Sequence, residues 1–142
     1  MKLQTASSVI SFAKSLETES ARFYEGLAQR YTQAKEVFLS FAKENSKNVV
    51  EIERAYYGVI TDAIEGCFSF DMEPDAYAIE ITLAGDASYV NALGKAVELE
   101  EKIGKFYFDA AEQSKSLMAD VPRVFAMIAK KRNNRVAKLR SL

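Results

Sequence analysis

The sequence predicts an all-α protein of four helices, arranged as two helical hairpins joined by one long connection. Three observations carry this. Apolar residues recur at spacings of three and four along four long segments. Only two prolines, Pro74 and Pro122, and six glycines interrupt 142 residues. Stretches from the first half of the chain also recur in the second half. The expected layout is one domain over residues 1–142, with a hairpin at 7–65, a crossover at 66–87 and a second hairpin at 88–142.

The first helix is expected from Ser7 to Arg30, with Val9, Phe12, Ala13, Leu16, Phe23 and Leu27 on one stripe and Ser7 or Ser8 as the cap. The second is expected from Gln33 to Glu65 after a Thr32 cap. Its stripe runs through Phe38, Phe41, Ala42, Val49, Ile52, Val59 and Ile60, and Gly66 would end it. The third is expected from Ser88 to Met118, on Leu93, Ala96, Val97, Ile103, Phe106 and Ala110. The fourth starts near Pro122, which suits a first turn because its missing N–H has no intrahelical partner there. Between the middle two lies "CFSFDMEPDAYAIEITLAGDAS", in which "FSF" and "AIEIT" are candidates for extended structure. That segment is too long for a tight turn and long enough to cross a bundle. Short, long, short is the connectivity of a four-helix bundle with one crossover, the ferritin-like arrangement.

The internal repeat supports the two hairpins. "LETESARFYEGLA" (16–28) aligns with "LEEKIGKFYFDAA" (99–111), and "EVFLSFAKENSKNV" (36–49) aligns with "RVFAMIAKKRNNRV" (123–136).

Composition narrows the chemistry. Apolar residues make up 49% and charged residues 27%, and the net charge is −1. That balance points to neither nucleic acid nor membrane as a partner. Residues 123–142 carry seven Lys/Arg and no acid, so the other 122 residues carry −8. No apolar run reaches the ~18 residues of a membrane span. "QTASSV" breaks any signal-peptide core, and the single Cys67 precludes an internal disulfide, so a cytoplasmic location is expected. Histidine is absent, which removes His-based catalysis and His metal ligation, and Cys/His zinc sites with it.

Each helix carries polar residues on its apolar stripe near mid-length. The first runs Ala13, Glu17, Ser20, Tyr24, Leu27, and the third Ala96, Glu100, Ile103, Tyr107, Ala110. The second runs Phe38, Phe41, Asn45, Asn48, Ile52, and the fourth Phe125, Ile128, Arg132, Arg135, Leu139. The expected interior polar set is therefore Glu17, Asn45, Asn48, Glu100, Arg132 and Arg135, with Ser20, Tyr24 and Tyr107 beside it. Plainer readings stay open at this point. A one-residue slip would turn Asn45 and Asn48 to solvent. "KKRNNR" also suits the basic outer face of a C-terminal helix, and the two tyrosines suit ordinary core positions.

The chain resembles the ferritin-like di-iron carboxylate family in its rubrerythrin-like branch. The Glu…Phe-Tyr helix of that family matches at Glu17 with Phe23-Tyr24 and at Glu100 with Phe106-Tyr107. Its Phe-x-x-x-Ala-x-x-Glu-x-x-His helix matches in frame only. Phe38 and Ala42 lead to Asn45 and Asn48, and Phe125 and Ala129 lead to Arg132 and Arg135. The resemblance implies a degenerate metal site, with four of six ligand positions changed. A guanidinium cannot ligate a cation and remains charged in a protein. The expectation is a metal-free network in which Glu17 and Glu100 pair with Arg132 and Arg135 and the two asparagines complete the hydrogen bonding. No cofactor is then expected, and the role is non-catalytic, structural or interactive, with a homodimer expected by analogy to related bundles. An oxidoreductase would need iron held by atypical ligands such as Glu44, Glu51 or Glu53. Polyanion binding through residues 123–142 is a third reading. A small-molecule ligand is left unspecified, since no phosphate-binding glycine loop is visible.

Overall fold

A computed structural model describes residues 2–59, 68–115 and 120–142. Four long helices carry the fold: α1 (Ala6–Arg30), α2 (Lys35–Val59), α3 (Tyr89–Ser114) and α4 (Asp120–Arg140). Two short strands, β1 (Leu3–Thr5) and β2 (Phe68–Met72), pair antiparallel at one end. No helix among the described residues is long and apolar enough to cross a membrane.

The helix starts follow side-chain capping, with two departures from expectation. The cap of α1 is Thr5 rather than Ser7 or Ser8. Its hydroxyl accepts from the Ser8 N–H, while the Ser8 hydroxyl accepts from the Thr5 N–H, a reciprocal box. Ser88 caps α3 in the same way with Asn91. Thr32 does not cap α2; it opens a 3-10 turn, Thr32–Ala34, that leads into the helix without a side-chain cap. Pro122 sits in the first turn of α4, where no intrahelical N–H is lost. The expected ends at Glu65–Gly66 and Met118, the stripe residue Ile60 and the position of Cys67 lie outside the described residues.

Contacts read in chain order define the helix directions. Between α1 and α2, Lys14 meets Glu53, Glu17 meets Asn48, Ser20 meets Asn45 and Tyr24 meets Phe38, so the two are antiparallel. Between α3 and α4, Glu100 meets Arg132 and Tyr107 meets Phe125, again antiparallel. Between α1 and α3, Phe12 meets Phe106 and Tyr31 meets Tyr89, antiparallel once more. It follows that α2 and α3 point the same way. The chain leaving α2 must therefore travel the length of the bundle, about 37 Å for a 25-residue helix at 1.5 Å per residue.

The crossover makes that journey along α3. The Gln113 amide accepts from the Asp71 N–H and donates to the Asp71 C=O. Further along, the Tyr77 hydroxyl donates to Asp109, and Lys102 donates to the Ala78 C=O. At the far end Arg30 donates to the carbonyls of Ala84 and Gly85, and Tyr31 donates to that of Ala87. "FSF" does form a strand, and its partner is the unforeseen N-terminal β1. "AIEIT" joins no ladder; Ile79 and Ile81 instead lie half-buried against the core.

The apolar stripes converge on one core, with Val9, Ala13, Phe38, Ala96, Ile103, Phe106, Ala110 and Ile128 at 0% exposure. Phe12, Val49, Leu93 and Val97, expected in the same stripes, sit at its half-buried margin. Phe106 is the pivot between helices and crossover, touching the rings of Phe12, Tyr77 and Tyr107 at 5.2–5.5 Å. Phe106→Ala removes all three contacts and leaves a cavity. Urea unfolding should show a loss of about 3–5 kcal/mol, against less than about 0.5 kcal/mol for a change at exposed Lys130.

Candidate functional site

The nine polar residues singled out on the helix stripes meet at the middle of the four helices. Glu17, Ser20, Asn48, Glu100 and Arg132 are 0% exposed, Asn45 1% and Arg135 2%. Tyr24 and Tyr107 are also at 0%. The outward reading of Asn45 and Asn48 is thereby overturned, and so is a purely superficial "KKRNNR". Lys130, Asn133 and Asn134 are exposed and Lys131 half-buried, while the two arginines of that run point inward.

Arg132 is the hub. One guanidinium nitrogen donates to both carboxylate oxygens of Glu100, at 3.0 and 2.8 Å. The other donates to Glu17 and, at 3.2 Å, to the Ser20 hydroxyl. Every contact of the two Glu side chains is an accepted bond. Glu17 also takes bonds from the Tyr107 hydroxyl at 2.7 Å and the Asn48 amide at 2.9 Å. Glu100 takes one from the Tyr24 hydroxyl. The pairs are exchanged between the two repeats. The tyrosine of the second half holds the glutamate of the first, and the reverse.

Arg135 extends the network to its rim. It donates to the Phe41 C=O at 2.9 Å and to the Asn45 side-chain oxygen at 2.6 Å, and reaches Glu100 at 3.4 Å. Its Nε donates to Glu44 at 3.0 Å. The Asn45 amide in turn donates to the Ser20 hydroxyl at 2.7 Å. A closed ring results: Arg132, Ser20, Asn45, Arg135 and Glu100. The cation of Arg135 also lies 4.8 Å from the Phe41 ring centre and 5.7 Å from that of Tyr24.

The pairing differs in detail from the expected one. Arg132 serves both glutamates, whereas Arg135 touches Glu100 only at longer range and shares its charge with Glu44. From the sequence, Glu44 enters only as an alternative metal ligand. Its side chain is 36% exposed, at the edge of the site. It follows Phe41 by three positions and precedes Asn48 by four, so the same periodicity that found the asparagines places it beside them. Glu53, another candidate ligand, lies on the outer surface against Lys14 at 3.2 Å.

Burial sets the protonation states. It pushes the Tyr24 and Tyr107 hydroxyls well above the usual phenol value, and the neighbouring Glu100 and Glu17 charges add to the rise. For Arg132, burial works against the cation, but Glu100 and Glu17 outweigh it and hold the group charged. The arrangement is thus a buried guanidinium between two carboxylates, each also held by a neutral phenol donor.

This donor set suits internal pairing and not a cation. Among the described residues no group of three or more His, Cys, Asp and Glu is placed to hold a metal ion. The faces that Glu17 and Glu100 turn to each other are bridged by a positive charge. A cation 4 Å from that charge meets about 4 kcal/mol of repulsion per unit-charge pair at an effective dielectric near 20. The chain matches no family profile, no curated protein and no solved structure.

Two outcomes follow. Arg132→Met leaves buried Glu17 without a counter-ion and Glu100 with only Arg135 at 3.4 Å, and chemical denaturation should show about 3–5 kcal/mol lost near pH 7. The phenols predict the alkaline side. Unfolded tyrosine ionises near pH 10, while folded Tyr24 and Tyr107 keep their protons to higher pH. Their contribution is complete below pH 10 and declines above it, at about 1.4 kcal/mol per pH unit for each. Denaturation series between pH 9 and 12 should show this slope in the parent and a shallower one in a Tyr24→Phe/Tyr107→Phe variant.

Proposed function

We propose that this protein is a ferritin-like bundle, related to the rubrerythrin-like branch, in which an ion-pair network stands where relatives hold two iron ions. Its role on this reading is non-catalytic, as a structural or interaction protein. The observation that carries the proposal is Arg132, wholly buried and bonded to Glu17 and Glu100 together. These glutamates fall at the positions that supply one carboxylate from each of two helices in the di-iron proteins, and Asn45/Asn48 and Arg132/Arg135 fall at the two Glu-x-x-His positions. The helix order, short links within hairpins and single long crossover are in keeping with that family.

The chemistry is consistent with loss of the metal. Two carboxylates replace four, so the site has lost half the negative charge that would balance two ferrous ions. The two that remain are occupied by Arg132, Tyr24, Tyr107 and Asn48. Two amides contribute neutral donors and acceptors only. A buried network of this kind favours one register and one topology over others more than it adds stability.

Metal content decides the matter. After refolding with excess ferrous, manganous or zinc ion and desalting, the chain should retain less than about 0.1 equivalent of each. The variant Asn45→Glu/Asn48→His/Arg132→Glu/Arg135→His should bind metal stoichiometrically if the positional match is right. Two ions held by the parent chain would overturn the metal-free reading. Failure of the fourfold variant, correctly folded by circular dichroism, would overturn the match to the family's ligand positions.

A further inference from the structure

We infer that the outer face of α2 is an interface between two copies of this chain, paired antiparallel about the level of Asn48. The outer face carries Leu39, Lys43, Ser46, Val50, Glu53 and Tyr57, spaced alternately four and three residues apart. At about 100° per residue these six form one narrow seam. Its apolar members are large and open to solvent: Leu39 is 43% exposed, Val50 45% and Tyr57 63%. They are three of only six large apolar side chains so exposed among the described residues.

The internal repeat supplies a control. The positions of α4 equivalent to Leu39, Lys43, Ser46, Val50 and Glu53 are Ala126, Lys130, Asn133, Ala137 and Arg140. The aliphatic residues have become alanine and the acid has become a base. The exposed pair Leu39 and Val50 therefore has no counterpart on the matching face of α4.

The order of residues along the seam selects the occupant. A twofold pairing brings residues equidistant from its centre together. With the helices antiparallel about the level of Asn48, Leu39 faces Tyr57 of the second copy, Lys43 faces Glu53, and Ser46 faces Val50. Both charged layers are then opposite-sign and both end layers apolar. A parallel pairing would instead set Lys43 against Lys43 and Glu53 against Glu53. Lys43 has no ion-pair partner among the described residues, and Glu53 has only the half-exposed Lys14 at 3.2 Å. The seam is one helix wide, which places it among the small, dissociable interfaces. The pairing is independent of what occupies the bundle centre.

Sedimentation velocity on the full chain tests it by charge exchange. The parent should be dimeric at about 100 μM and dissociate on dilution. Lys43→Glu and Glu53→Lys should each weaken the dimer at least about tenfold, because each sets like charges against one another in both symmetric layers. The double exchange Lys43→Glu/Glu53→Lys should restore association to within about threefold of the parent. Val50→Glu should give monomer, with unchanged circular dichroism showing that the bundle is intact. A monomeric parent, a dimer indifferent to Val50→Glu, or a double exchange no tighter than the single variants would each overturn the pairing.

Discussion

A guanidinium with no access to water is the constraint around which this bundle is arranged. Arg132 lies at 0% exposure, and a charge in that position is tolerable only with opposite charge close on both sides; its two terminal nitrogens are bonded, and only Nε is without a partner among the described residues. Glu17 and Glu100 supply the charge from helices that do not adjoin in sequence. They carry surplus lone pairs, and these accept hydrogen bonds from the Tyr107 and Tyr24 hydroxyls and the Asn48 amide. Each added donor spreads carboxylate charge that would otherwise face apolar neighbours. The stripes of Phe38, Phe106, Phe125 and Ile128 around the network exclude water and so strengthen its internal attraction.

The exchange between repeats has a structural consequence. If each tyrosine held the glutamate of its own half, the two hairpins could slide past one another with the tyrosine–glutamate contacts intact. Because Tyr24 bonds Glu100 and Tyr107 bonds Glu17, a shift of one turn would leave two buried carboxylates short of donors. Arg135 adds a third tie across the bundle, from α4 to the Phe41 carbonyl and Asn45 of α2.

The two arginines differ in their surroundings. Arg132 lies between two carboxylates and is isolated from solvent. Arg135 is asymmetric: its inner side meets Glu100 and Asn45, and its outer side meets Glu44 at the boundary with water. Aromatic faces of Phe41 and Tyr24 cover the remainder. The second half of the molecule has no equivalents of several of these groups: the positions matching Ser20, Phe41 and Glu44 are Ile103, Ile128 and Lys131. The two repeats share the frame of the site, but its two halves are chemically unequal.

Periodicity in the chain was enough to indicate the four helices, their inward faces and nine of the residues in the polar cluster. A helix repeats every 3.6 residues, so Glu17, Asn45, Glu100 and Arg132 reveal their side of the helix by their distance from Phe, Leu and Ile on the same stripe. Tertiary structure alone decided who meets whom. Pairing depends on the heights at which separate helices dock, and no spacing within one helix encodes that. Hence Arg132 serving both glutamates, and Glu44 closing the rim, became visible only with the helices in place. The pairing of β1 with β2 was hidden for the same reason. Three residues at one end of the chain and five in the crossover are each too short to show a period, and only the packed helices bring them side by side.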